Sequence, residues 1–414
     1  MFKNKKSILV VGFNTRPLVY SLYRAGFKVY TVDFFGDLDL YPYVEDYIII
    51  TKRTQIDYNN LKDNYKSYLI DFTFDLLEKY PNINYLLIGS GLDDSFIKRK
   101  LISEKINSLK NPLKELNNKF EILQKSRDIL EIYQLLRENG YNIPLTKLLN
   151  ESDLNDNKSN FPFILKKKQS SGGINIYKIN NQEQFYLRLR IIKNQKQEQE
   201  WLVQEYIEGS NISCTVIANG IETNVISINQ QIIGFGFLNA PEEYTYCGNI
   251  VPTNIIKKEM DTIKNLSIFL SNTLGLTGIN GFDFVIRNNI PYLMEINPRI
   301  PGSIRVSEEY LTTNLLKLHI DSFFLNRWNS IKKSLTSIKK KRFCTKLIFF
   351  APKDLSIDNI NKINKLKHIH DKTEPLKKIL KYEPVCTILF KDNTFINSYF
   401  GALKIVNRIN KIIF

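Results

Sequence analysis

Gly281-Phe282-Asp283-Phe284-Val285-Ile286 is followed by a polar turn and then by Tyr292-Leu293-Met294-Glu295-Ile296-Asn297-Pro298-Arg299. Two short apolar runs around a turn predict a β-hairpin. Each run holds one carboxylate, and charge inside a strand is costly unless it is paired or metal-bound. Asn297 lies two residues beyond Glu295 and so shares its face. Asp283, Glu295 and Asn297 together offer two carboxylates and an amide carbonyl, hard oxygen ligands suited to Mg²⁺. Arg299, two residues further, sets a fixed cation beside them. Solvent-facing strand residues are the plainer alternative. The two acids can share a face only if they oppose each other across the hairpin. A two-residue turn at Asn288-Asn289, which the Asn pair suggests, would send Glu295 and Asn297 to the face opposite Asp283. The expectation is an odd-numbered loop centred on Asn289, or an equivalent bulge.

Two upstream blocks carry related chemistry. In Pro162-Phe163-Ile164-Leu165-Lys166-Lys167-Lys168-Gln169-Ser170-Ser171-Gly172-Gly173, an apolar strand delivers a lysine and a Ser/Gly loop follows. Phosphates need positive charge and closely approaching backbone N–H groups, which glycine permits. A P-loop would place its lysine after the glycines, so this is a different device. Taken alone, the segment also fits a hairpin with exposed lysines. In Trp201-Leu202-Val203-Gln204-Glu205-Tyr206-Ile207-Glu208-Gly209, a strand ends in polar residues and a glycine turn. Such an end can present backbone groups to a planar base, or be an ordinary strand end.

Earlier in the chain, strands at Ile8–Val11, Val29–Val32 and Tyr85–Ile88 alternate with helical patterns, which predicts a small parallel α/β domain. The segment Gly12-Phe13-Asn14-Thr15-Arg16-Pro17 has one glycine where a dinucleotide fingerprint has three. The loops there could hold a carboxylate or be tight turns only. Residues 111–141 read as a helical linker closed by Gly140 and Pro144, and 150–160 as a polar loop. Strand patterns dominate afterwards.

The 414 residues suffice for two or three domains, and 43% hydrophobic with 24% charged residues excludes a disordered chain. No apolar run reaches the ~20 residues of a membrane span, so no membrane partner is expected. The four cysteines are far apart and read as cytoplasmic thiols. The net charge of +16 is concentrated in residues 331–414, which carry 19 Lys/Arg against 6 Asp/Glu. This segment reads as a solvated surface or an electrostatic funnel for an acidic substrate. No specific nucleic-acid binding is expected of it.

The three blocks, in this order and spacing, resemble the ATP-grasp superfamily over about residues 127–325. Gln204–Gly209 with Asn229-Gln230-Gln231-Ile232-Ile233 looks most like its archaeal carboxylate–amine ligase branch, which includes the tyramine–glutamate ligase of methanofuran synthesis. The resemblance implies an α/β accessory domain (residues 1–112) and an α+β ATP-grasp domain (113–330) whose subdomains, about 113–200 and 201–330, clasp ATP. A small β-rich basic segment (331–414) follows. It also implies that Lys166 contacts the α/β-phosphates and that Ser171, Gly172 and Gly173 form a flexible flap over them. Gln204, Glu205, Tyr206 and Ile207 would read adenine, with Asn211 at the ribose, where the family usually has an acid. Asp283, Glu295 and Asn297 would bind Mg²⁺, which Mn²⁺ could replace, and Arg299 would stabilise the reacting carboxylate. For the upstream nucleotide cation the sequence offers Arg127 and, second, Lys125.

The activity implied is an ATP-dependent joining of a carboxylate to an amine through an acyl phosphate. Small-molecule acids and amines would be its partners, and homodimerisation is open. ATP-dependent carboxylation of bicarbonate is the enzymatic rival, and a non-catalytic nucleotide or nucleic-acid binder the rival of another class.

Overall fold

The computed structural model describes residues 5–56, 58–61, 64–111, 113–149, 161–168, 173, 175–194, 200–338, 342–376 and 378–414. The polar loop at 150–160, and Ser170, Ser171 and Gly172 of the expected flap, lie outside them. The first sheet consists of β1 (Ser7–Gly12), β2 (Lys28–Asp33), β3 (Asp46–Ile49), β4 (Tyr85–Ile88) and β5 (Lys114–Glu115). All are parallel, in the order β3-β2-β1-β4-β5. Ile8, Leu9, Val10 and Val11 are wholly buried, as a central parallel strand covered on both faces requires. Beyond the strand ends, Phe13 N–H donates to Ser90 O at 2.8 Å, so the loops after β1 and β4 touch. Asp33 accepts from the backbone N–H groups of Thr15 and Gly36, each at 2.7 Å. Its carboxylate is thereby spent on closing these turns.

The segment read as one helical linker is more broken. It contains β5, then helices Phe120–Arg127 and Ile129–Glu138. Asp128 separates the two helices, and its side chain accepts from the N–H groups of Leu130 and Glu131, a cap that starts the second helix.

Two further sheets follow. β6 (Thr146–Leu148), β7 (Phe163–Lys167), β8 (Ile176–Ile179) and β9 (Trp201–Glu205) form a four-stranded sheet in the order β6-β9-β7-β8. An eight-stranded antiparallel sheet begins with β10 (Ser210–Asn219), β11 (Thr223–Ile233), β12 (Tyr246–Val251), β13 (Thr277–Arg287) and β14 (Ile290–Asn297). It continues into the basic tail with β15 (Phe343–Phe350), β16 (Ile369–His370) and β17 (Pro384–Asp392), giving the order β14-β13-β10-β11-β12-β15-β17-β16. The tail strands therefore extend the central sheet.

Packing joins these layers. Ile8, Val10, Leu18 and Leu22 of the first sheet and its helix share one buried cluster with Ile304, Leu315, Trp328, Cys344 and Leu389. Each fully buried aliphatic side chain contributes ~1.5–3 kcal/mol, so this cluster fixes the first sheet against the central one. The strand ends of the first sheet are thereby held facing the β13–β14 hairpin.

That hairpin solves its phase problem by a bulge. Arg287 pairs with Ile290 across a two-residue turn in which Asn288 and Asn289 have φ of 51° and 62°, the left-handed pair that Asn favours. An odd-numbered loop is therefore not used. The register shifts between Asp283 and Phe284: Phe284 pairs with Leu293, whereas Asp283 pairs with Glu295. Met294 is the extra residue, and it returns Glu295 and Asn297 to the face of Asp283.

Candidate active site

Asp283 and Glu295 stand opposite each other, and Asn297 Nδ2 donates to Asp283 Oδ2 at 2.9 Å. Gln231 Nε2, from β11, donates to the other oxygen at 2.9 Å. Burial first, and then the neighbouring Glu295 charge, push the Asp283 carboxyl up to about 7, against the opposing pull of Arg299, Asn297 and Gln231. A divalent cation held between the two carboxylates would favour their charged forms and reverse that shift. Among the described residues there is no cluster of three His, Cys, Asp or Glu side chains able to hold a metal. The donor set is two carboxylates with one amide oxygen, and its hardness fits Mg²⁺.

Cations surround the pair. The side chain of Arg127, at the end of helix Phe120–Arg127, is buried and ion-paired with Glu295 Oε1, and it also donates to Ile296 O at 3.3 Å. Lys125 lies on the exposed face of the same helix, because two residues of helix turn a side chain through about 200°. The structure thus places Arg127 at the acids and Lys125 away from them. Lys166, on β7 of the other sheet, is lowered to about 8 by burial, with Glu295 acting against the shift and Arg127 adding to it. Lys166 thus lies within electrostatic reach of Glu295 and Arg127.

Arg299 is held from a third direction. Its Nε donates to Asp93 Oδ1 at 2.5 Å and its Nη2 to Asn297 Oδ1 at 3.4 Å. Asp93 is buried and sits just after the Gly89-Ser90-Gly91 loop that follows β4. Sequence reasoning missed it, and also Gln231, whose partner Asp283 is 52 residues away. The acid after the β4 glycine loop was the only available signal for Asp93.

The strand-end block occupies the seam between the two sheets. Gln204 is buried, and its amide donates to Tyr133 Oη at 3.0 Å and Thr146 Oγ1 at 2.9 Å. Tyr133 in turn donates to Leu293 O at 2.8 Å. Gln204 Nε2 is therefore committed to a link between β9 and β14. Glu205 Oε1 accepts from Arg287 at 2.8 Å, and Oε2 from Leu145 N–H at 3.2 Å. The Tyr206 ring lies 4.0 Å from Lys178 Nζ, and Ile207 is buried. Gly209 runs so close to β13 that a Cβ would lie 2.0 Å from Ile286 O. The half-buried Asn211 is the second residue of β10, its carbonyl accepting from Gln230. Gly173 has φ of +81° and would bring a Cβ to 2.0 Å from Tyr244 O. Residue 173 thus packs against the loop leading into β12, where any side chain would be strained.

A family model described as the ATP-grasp domain matches residues 127–303. The chain belongs to the ATP-grasp superfamily. An uncharacterized protein of Methanocaldococcus jannaschii is 31% identical over 95% of this ATP-grasp chain and 90% of its own length. The D-alanine–D-alanine ligase of Leptospira interrogans (serovar copenhageni) is 26% identical over 44% of this chain, a match spanning about half, 51%, of that ligase. Among solved structures, an L-amino acid ligase from Bacillus licheniformis superposes with a TM-score of 0.70 at 15% identity, covering 98% of each chain. That last likeness is one of fold. No helix among the described residues is long and apolar enough to cross a membrane.

Proposed function

We propose that this ATP-grasp protein joins a carboxylate to an amine at the expense of ATP, forming ADP and phosphate. The observation that carries the reading is the convergence of Arg127, Asn297 and Arg299 on the paired acids Asp283 and Glu295, with Lys166 of the four-stranded sheet within electrostatic reach. A carboxylate is too poor an electrophile for an amine to attack. In the first step its oxygen attacks the γ-phosphorus of ATP, the β–γ bridge bond breaks and ADP leaves. In the second, the amine nitrogen attacks the acyl carbon, the C–O bond to phosphate breaks, and the ammonium proton is lost to give an amide. Lys166 and Arg127 supply fixed positive charge where phosphoryl oxygens gather charge. Arg299, oriented by Asp93, is placed to hold the reacting carboxylate.

Asp283, Glu295 and Asn297 are the residues that would hold Mg²⁺, which screens phosphate charge when bound. Gln204 to Ile207 line the seam in which an adenine could lie, with Asn211 beyond it for the ribose. Acyl phosphates are hydrolysed by water, so the reaction needs a covered site; the flap the resemblance implies at Ser171, Gly172 and Gly173 lies, except for Gly173, outside the described residues. The likeness of Gln204–Gly209 and 229–233 to the archaeal carboxylate–amine ligases favours an amino acid as one substrate and coenzyme synthesis as the setting. The test is a screen for ADP release by the purified protein with Mg·ATP against pairs of amino acids and amines. Release that requires one acid and one amine together supports ligation, whereas release driven by bicarbonate alone supports the carboxylase reading.

A further inference from the structure

Each contact that holds the paired acids also occupies one of their oxygens. Asp283 Oδ2 accepts from Asn297 Nδ2 and Asp283 Oδ1 from Gln231 Nε2, each at 2.9 Å. Asn297 Oδ1 accepts from Arg299 Nη2 at 3.4 Å, and Glu295 Oε1 is ion-paired with Arg127. Four of the five side-chain oxygens of Asp283, Glu295 and Asn297 therefore accept from protein donors. The amide donors are neutral, and displacing each costs about one hydrogen bond, ordinarily a modest net loss. Arg127 differs. It sets on a carboxylate of the set the kind of charge that a metal ion would bring.

Arg127 is built into this contact. Its side chain is 5% exposed, against 36% for that of Glu295. It closes helix Phe120–Arg127, and a helix C-terminus favours a cation. It also donates to Ile296 O at 3.3 Å, the carbonyl next to Glu295. A guanidinium does not shed its proton, and a buried one stripped of its carboxylate is left as an uncompensated charge. Lys166 adds to the crowding, because it lies within electrostatic reach of both Arg127 and Glu295. A divalent cation arriving alone would have to take Glu295 from Arg127 and add its charge beside two held cations. A polyphosphate reverses that balance. It offers Arg127 and Lys166 new anionic partners and releases Glu295 to the metal.

We propose that Arg127 competes with the divalent cation for Glu295, so that the protein alone holds the metal weakly and holds it tightly only together with the nucleotide. Metal and nucleotide then bind as one coupled unit. The competition rests on the Arg127–Glu295 contact, whereas the release by phosphates rests on the ATP-dependent reading above.

The test is a titration of Mn²⁺ into the full-length chain, read by the electron paramagnetic resonance of free Mn²⁺, with and without a non-hydrolysable ATP analogue. Arg127→Gln keeps an N–H donor for Glu295 without the charge, Arg127→Met removes both, and Arg127→Lys keeps the charge. Without the analogue, the two neutral variants should bind Mn²⁺ ~10-fold or more tighter than the wild type, the direction set by removing a unit charge beside a carboxylate. Arg127→Lys should stay close to the wild type. With the analogue, after allowing for the Mn²⁺ that it binds in solution, the wild type should gain more affinity than Arg127→Gln. Nucleotide-free binding that is equal in the wild type and the neutral variants, or weaker in the variants, would overturn the competition. The wild type carries a check that needs no variant: Mn²⁺ binding as tight without the analogue as with it would also overturn the proposal. Failure of the analogue to bind the wild type at any Mn²⁺ concentration would instead count against the ATP-dependent reading, and the nucleotide-free titrations would still decide the competition.

Discussion

Arg299 Nε and Asp93 Oδ1 meet at 2.5 Å, joining the loop after β4 of the first sheet to the residue just beyond β14 of the central one. The pair is mostly shielded from solvent, with side chains 15% and 6% exposed. One acid in the first sheet therefore sets the direction of the cation beside the paired carboxylates.

Asp93→Asn keeps the shape but removes the charge that aligns the guanidinium. The expected result is a fall in kcat of roughly 10–100-fold, the size of effect a misplaced catalytic group produces, with ATP affinity unchanged. Asp93→Glu should restore part of the rate. Steady-state kinetics alongside calorimetry separates this from a folding defect, because unfolding would abolish both.

Lys166→Ala should weaken ATP binding about 10-fold or more, as expected for losing a charged contact to phosphate, and leave the melting temperature close to that of the wild type. Lys166 is half-buried at a strand end, so little packing is lost. Unchanged nucleotide affinity by calorimetry would remove it from the phosphate site.

The β13–β14 turn gives a stability test independent of activity. Asn289, with φ of 62°, should tolerate Gly at no cost, whereas Asn289→Val should destabilise the protein by ~1–2 kcal/mol through the left-handed backbone. Urea unfolding measures both, and a neutral Val variant would contradict the turn geometry.

How much of this was legible in the sequence differs from element to element. The β1 strand, the β13–β14 hairpin and the shared face of Glu295 and Asn297 follow from local alternation of residue types, whereas the face of Asp283 followed only from the requirement that the two acids meet. Of the two devices expected for the turn, the structure uses the bulge: Asn288-Asn289 forms the two-residue turn and the phase is corrected at Met294, a position that nothing in the local pattern marks. Joining β12 to β15 depends on pairing such as Asn249 with Lys346, a contact across 97 positions that periodicity does not encode. The choice between Arg127 and Lys125 needed the helix face, which only packing against β14 defines. Asp93 and Gln231 act across such distances too, so their types suggested nothing by themselves.

His319 offers a pH test. Its Nδ1 accepts from Ile279 N–H at 2.9 Å and its Nε2 lies 3.0 Å from Leu116 O. Burial lowers its pKa to about 4, despite the Leu116 carbonyl favouring the charged form. The folded protein thus holds it neutral, while the unfolded chain protonates it near pH 6.5. Its contribution to stability is fully present above about pH 6.5 and is lost as pH falls toward 4, a change on the order of 3 kcal/mol. The chain has three histidines, so imidazole NMR signals can be assigned by substitution. A His319 resonance titrating near 6.5 would contradict the buried neutral ring.

The most direct measurement of the central claim is trapping of the acyl phosphate. Wild-type protein and Glu295→Gln would be incubated with Mg·ATP, each amino acid in turn and hydroxylamine, and hydroxamate and ADP would be quantified together. The account predicts that at least one acid gives hydroxamate and ADP in equal amounts with the wild type, and that Glu295→Gln loses nearly all of both. ADP release without hydroxamate for every acid, or a Glu295→Gln rate equal to that of the wild type, would contradict it.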